Sequence, residues 1–143
     1  MTTLLDLYEY AEDQGIDVDW FPMEQATSLS LPLPDGSCAI AISPWKMGTL
    51  AQETVCLAHE LGHCKTGSFY NRYAALDIRQ KHETRADKWA IRHLVPEEAL
   101  DQAVADGYAD LPALAERFGV TEQFMRKAVC WYTHGNLAAE LYF

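Results

Sequence analysis

The order of periodicities along this 143-residue chain predicts an α+β fold: one helix, a short three-stranded sheet, then only helices. Three observations carry that reading. Residues 3–14 repeat apolar side chains at helical spacing. Between residues 16 and 43 two short stretches alternate apolar and polar positions, and a third, CAIAIS, follows them as a strand. From about Gly48 the helical period returns, and it governs most of the chain to residue 132.

In the first helix, TLLDLYEYAEDQ, Leu4, Leu5, Leu7, Tyr8 and Ala11 recur at helical spacing, and Gly15 ends the run. IDVDWF (16–21) reads as a half-buried strand. TSLSLPL (27–33) is a second strand, and Pro32 confines it to an edge or a strand end. Pro34-Asp35-Gly36 is a turn, because proline presets φ and glycine permits positive φ. CAIAIS (38–43) is the third strand. It pairs antiparallel with the second and, preceding the next helix, is assigned to the sheet edge.

The following helix carries Leu50, Thr54, Leu57, Ala58 and Leu61 as one stripe and runs through residue 63, before Gly67 and Ser68 break it. Residues 69–81 fit either a loop or a short helix. HETRADKWAIRHL (82–94) is helical, with Ala86, Trp89, Ala90 and Leu94 facing inward. Pro96 opens a helix to about Ala105, closed by Gly107. Residues 112–118 and 121–132 form two more helices, joined at Gly119. The expected organisation is a single domain over 1–143, with helix, sheet and second helix in 1–66 and the other helices in 82–134. The closing ELYF, native or added, is set aside.

Bulk composition narrows the function classes. Hydrophobic residues make up 49% and charged residues 22%, ordinary for a soluble globular chain. No apolar run approaches the roughly 20 residues that span a membrane. Met1–Tyr10 lacks a signal-peptide pattern, so a cytoplasmic location is expected. The chain has 21 acidic and 11 basic residues, a net charge of -10, which disfavours binding that rests on neutralising phosphates. Cys38, Cys56, Cys64 and Cys130 include no C-x-x-C pair and are expected to be reduced, mostly buried and inert. Cys64, beside His63, is a minor candidate metal neighbour or nucleophile. Met23, Met47, Met125, Trp20, Trp45, Trp89 and Trp131 read as core or rim packing. No P-loop, G-x-G-x-x-G or G-x-S-x-G is present.

Residues 59–63, His-Glu-Leu-Gly-His, carry the chemistry. On a helix, side chains at i and i+4 project from one face, so His59 and His63 can reach one zinc ion. Glu60 is rotated off that line. It does not comfortably bind the same metal, but it reaches a water there, as a general base must. A catalytic zinc needs a third protein ligand, and Glu83 is the leading candidate, with His82 and, less favourably, His93 as rivals. Asp87, one turn beyond Glu83, is placed to accept a hydrogen bond from a zinc-bound histidine. Tyr70 and Tyr73 lie between the two ligand segments and are candidates to stabilise an oxyanion.

TVCLAHELGH, ETRADKWAIRHLVP and LAERFGVTEQFMRKAV, preceded by a helix and by strands ending in CAIAIS, resemble the ImmA/IrrE family of small zinc metallopeptidases over roughly residues 3–130. The resemblance implies a small zincin-like domain with Glu83 as third ligand. It also implies an endopeptidase associated with phages and mobile elements, and a helix-turn-helix repressor as the leading substrate. Two other classes compete. LAERFGVTEQFMRKA (114–128) has a helix-turn-helix pattern, but residues 111–143 carry no net positive charge. A non-catalytic zinc protein, regulatory or of a toxin–antitoxin pair, does not need Glu60. The expected partner is therefore a protein substrate, with neither nucleic acid nor membrane bound directly.

Overall fold

The computed structural model describes residues 1–71 and 73–139, so ELYF lies outside the described residues. The fold is α+β. In chain order it runs α1 (Leu4–Asp13), β1 (Asp17–Trp20), β2 (Ser28–Pro32), β3 (Cys38–Ile42), a 3-10 turn at Pro44–Lys46, α2 (Leu50–Thr66), α3 (Leu76–Leu94), α4 (Glu97–Ala105), α5 (Leu111–Phe118) and α6 (Glu122–His134). Local signals set most boundaries. Thr3 and Asp6 form a reciprocal capping box on α1, and Thr49, Asp110 and Thr121 cap α2, α5 and α6 through their side chains.

The strand order is β1-β3-β2, with β1 parallel and β2 antiparallel to β3. β3 is therefore central, and its assignment to the edge is corrected. Its Cys38, Ile40 and Ile42 are buried and its two alanines half-buried, which suits an interior strand. β1 carries Asp17 and Asp19, and β2 carries Pro32, which has no N–H for a ladder; both strands tolerate an open edge. Ser28 pairs with Ile42 and Ser30 with Ile40, so the two serines share the buried face of the sheet. Leu29 and Leu31 point the other way and stay about half exposed.

α2 runs beneath that buried face. Leu57 and Leu61 join Ile40 and Ile42 in a core that also takes Ala90, Ile91 and Leu94 from α3 and Phe118, Phe124 and Met125 from the last hairpin. A buried carboxylate ties the N-terminus to this helix: Tyr8 donates its hydroxyl to Glu53 Oε2 at 2.6 Å, and Trp20 Nε1–H donates to Tyr8 at 3.1 Å. Burial and that carboxylate push the Tyr8 phenol up to about 12.

Two expectations shift. Leu50, placed in the apolar stripe, sits in the first turn of α2 and is exposed. α3 begins at Leu76 rather than 82. Its first turns, LDIRQK, leave Leu76 and Ile78 in solvent, so no buried stripe marks them in the sequence. Among the described residues no helix is long and apolar enough to cross a membrane.

The cysteines also depart from expectation. Cys38 and Cys64 form a disulfide that joins the start of β3 to α2, across a Cα separation of 5.8 Å. The sheet packs on α2 and brings residues 26 apart in sequence within bridging range. Cys64 is thus neither metal neighbour nor nucleophile, while Cys56 and Cys130 are outside the bridge. Closing a loop of this length contributes about 3 kcal/mol. Cys38→Ser should lower the unfolding free energy by about that amount in denaturant titrations under non-reducing conditions. Unreduced wild-type protein, once unfolded, should show two reactive thiols rather than four.

Candidate metal centre

His59, Glu60 and His63 occupy consecutive turns of α2. Gly67, at φ 64°, ends the helix, and the Ser68 N–H returns to the His63 carbonyl at 3.1 Å. That reversal carries the buried Ser68 carbonyl under the His63 ring, where it accepts from Nδ1. Asp87 Oδ1 faces His59 Nδ1 at 2.7 Å. With an acceptor at each Nδ1, the proton of each neutral ring is assigned there, so that a ligand displacing any further proton meets the Nε2 lone pair.

The two Nε2 atoms lie 3.1 Å apart. Glu83 closes the triangle, with Oε2 at 2.6 Å from His59 Nε2 and Oε1 at 3.2 Å from His63 Nε2. The donor atoms of His59, His63 and Glu83 all lie within 4.8 Å of one another, and together they could hold a metal ion. Bonds of about 2.0–2.1 Å in tetrahedral geometry put ligand atoms roughly 3.3 Å apart, so the donor set and spacing fit such an ion. Neither rival ligand joins this group. His82 stacks on Tyr70, and His93 stacks on Trp89 with ring centroids 3.8 Å apart.

The charge balance calls for a cation here. Burial disfavours the charged form of His59, but hydrogen bonds to Asp87 and Glu83 outweigh it and push the ring up to about 10. His63 moves the same way: burial opposes the charge, and Glu83 and the Ser68 carbonyl override it. Glu83 would be raised by burial, yet His59, His63 and Tyr70 hold it far below the usual carboxylate range. A proton or a metal ion can satisfy the same demand.

A close helix contact makes these distances possible. A Cβ on Gly62 would lie 2.5 Å from the Ala86 carbonyl oxygen and 3.0 Å from its Cα. The obstacle is backbone, so no side-chain adjustment relieves it. Gly62 lies between His59 and His63 on α2, and Ala86 lies between Glu83 and Asp87 on α3. The contact therefore presents both carboxylates to the histidines. The sequence reading left Gly62 as an unspecified motif position.

Around the ligands, Glu60 is 7% exposed and accepts from Ser28 Oγ at 2.7 Å. Tyr70 donates its hydroxyl to Glu83 Oε1 at 2.7 Å, which places it beside the third donor. Tyr73 is 79% exposed, and its backbone N–H donates to Asn71 Oδ1. Lys127 of α6 reaches Asp87 Oδ2 at 3.4 Å.

The sequence model of the IrrE N-terminal-like domain, a peptidase family, matches residues 11–129. The chain belongs to this family. Comparison with curated proteins and with solved structures returned no match. The matched span reaches into α6, so the helix-turn-helix-like hairpin lies inside the peptidase-family domain. Its second helix also lines the cleft over the metal group. That cleft, about 740 Å³, is bordered by Ser28, Cys56, His59, Glu83, Phe124 and Lys127. Residues 135–138 also line it.

Two outcomes follow for this peptidase-family domain. His59 without metal holds its extra proton up to about pH 10, so at any lower pH a metal must displace it. Apparent metal affinity should therefore fall as pH falls, about tenfold per unit for that one proton, in calorimetric titrations at pH 6, 7 and 8. A flat profile would contradict the assignment. Gly62→Ala should separate α2 from α3, costing about 1–3 kcal/mol in thermal unfolding and weakening metal binding.

Proposed function

We propose that this chain is a zinc-dependent endopeptidase that cuts an extended segment of a protein, with Glu60 as general base. The convergence of His59, His63 and Glu83, with Glu60 beside them but outside the ligand group, carries the reading. Two imidazoles and one carboxylate are the three-ligand set of catalytic zinc sites, which keep one position open. When bound there, zinc polarises a carbonyl and lowers the pKa of water towards about 7.

The chain's own residues do the rest. Asp87 and the Ser68 carbonyl hold the two imidazoles with Nε2 forward. Glu60 takes the proton of the attacking water and returns it to the leaving amine. Tyr70, already donating to the Glu83 carboxylate, is the tyrosine assigned to a developing oxyanion. The substrate adds as a strand along the open edge of β2, in place of the β3 edge expected from element order. A transcriptional repressor of helix-turn-helix type is the substrate proposed, on the family resemblance. A cytoplasmic location goes with that substrate, and there Cys38–Cys64 would face reducing thiols. The redox state of the pair in cell extracts tests that location.

The competing readings gain nothing from the site. A structural metal site needs no base at Glu60. The candidate recognition helix α6 faces the cleft through Phe124 and Lys127. The decisive experiment pairs two variants. Glu60→Gln should retain zinc by elemental analysis and lose cleavage of a co-expressed repressor by about a hundredfold or more. Glu83→Ala should lose zinc. An active Glu60→Gln protein would overturn the mechanism.

A further inference from the structure

We infer that Ser28 is a positioning residue for Glu60, tying the aim of the general base to the open strand of the sheet. The inference rests on the assignment of Glu60 as base and adds a residue that neither the motif nor the ligand group contains.

Glu60 is almost fully buried, and its Oε2 accepts from Ser28 Oγ at 2.7 Å. A carboxylate on a flexible side chain has several rotamers, and a charge-assisted hydrogen bond selects among them. Ser28 engages Oε2 and leaves Oε1 for the proton that the reaction moves. Ser28 is itself fixed. It opens β2 opposite Ile42, on the buried face, and the preceding carbonyl, that of Thr27, accepts from Ser43 N–H at 2.8 Å. A hydroxyl one atom from this backbone is a stiffer tether than a longer side chain could provide.

The placement has a second consequence. β2 is an edge strand, so its outer backbone groups are open to an added strand, and Ser28 also borders the cleft with His59 and Glu83. The strand that would receive substrate thus carries the hydroxyl that orients the base. Ser28 is not one of the metal donors, and it acts through Glu60.

The test uses Ser28→Ala and Ser28→Thr in the full zinc-loaded chain. In crystal structures of both, Glu60 should keep one rotamer in the threonine variant and spread over two or more in the alanine variant, at equal zinc occupancy. Turnover of dye-labelled casein should fall about tenfold or more in kcat for Ser28→Ala, with KM little changed, and threonine should restore most of it. An unmoved Glu60 in Ser28→Ala, or full kcat in that variant, overturns the inference. So does a loss that threonine fails to repair. Glu60→Gln on the same casein separates the two failures. If it is inactive while Ser28→Ala is fully active, only the tether is lost; if it stays active, the assignment of Glu60 as base falls and takes the tether with it.

Discussion

The backbone contact between Gly62 and Ala86 sets the distances on which the metal group depends. Two helices that carry ordinary side chains at their crossing lie 8–10 Å apart. A glycine against an alanine, with a Cβ excluded by the facing carbonyl, lets α2 and α3 approach more closely than a side chain at Gly62 would permit. Carboxylate side chains are short, so Glu83 and Asp87 reach the imidazoles only across such a narrow gap. The same contact buries Ala86, Ala90 and Leu61 completely, so the packing that stabilises the domain also sets the ligand geometry.

Charge is the second constraint. Glu60, Glu83 and Asp87 crowd one region of an already acidic chain. Serine, tyrosine, histidine and lysine side chains each answer part of that charge: Ser28 on Glu60, Tyr70 on Glu83, His59 and Lys127 on Asp87. The partners come from β2, from the segment ahead of α3, and from α2 and α6. Elements distant in the chain therefore meet at the site through hydrogen bonds to carboxylates. The last hairpin belongs to this set, which explains why it sits inside the peptidase-family domain although its pattern mimics a DNA reader.

Much of this was legible from spacing alone. His59, His63 and Glu83 converge as helical periodicity and their separation suggested, and Asp87 falls behind His59 as one further turn required. The cap at Thr121 and the turns at Gly36 and Gly119 appear where local chemistry placed them. The misses share one cause: they depend on which elements neighbour each other. Strand order, the Cys38–Cys64 pair, the Gly62 contact and the Ser28 tether all join segments distant in sequence, and no single-segment period encodes them. The early start of α3 was hidden for the opposite reason. Its first turns are mostly exposed and carry no buried apolar stripe to read.

The bridge between Cys38 and Cys64 encloses β3, the 3-10 turn and nearly all of α2 in one covalent ring. A chain that cuts peptide bonds is exposed to its own chemistry. A nick anywhere inside that ring would leave both fragments joined and both histidines still attached to the same folded body. On a denaturing gel such a molecule would migrate near full size until a thiol reagent opened the ring. Self-processing in this region would therefore go unseen in any preparation analysed without reductant.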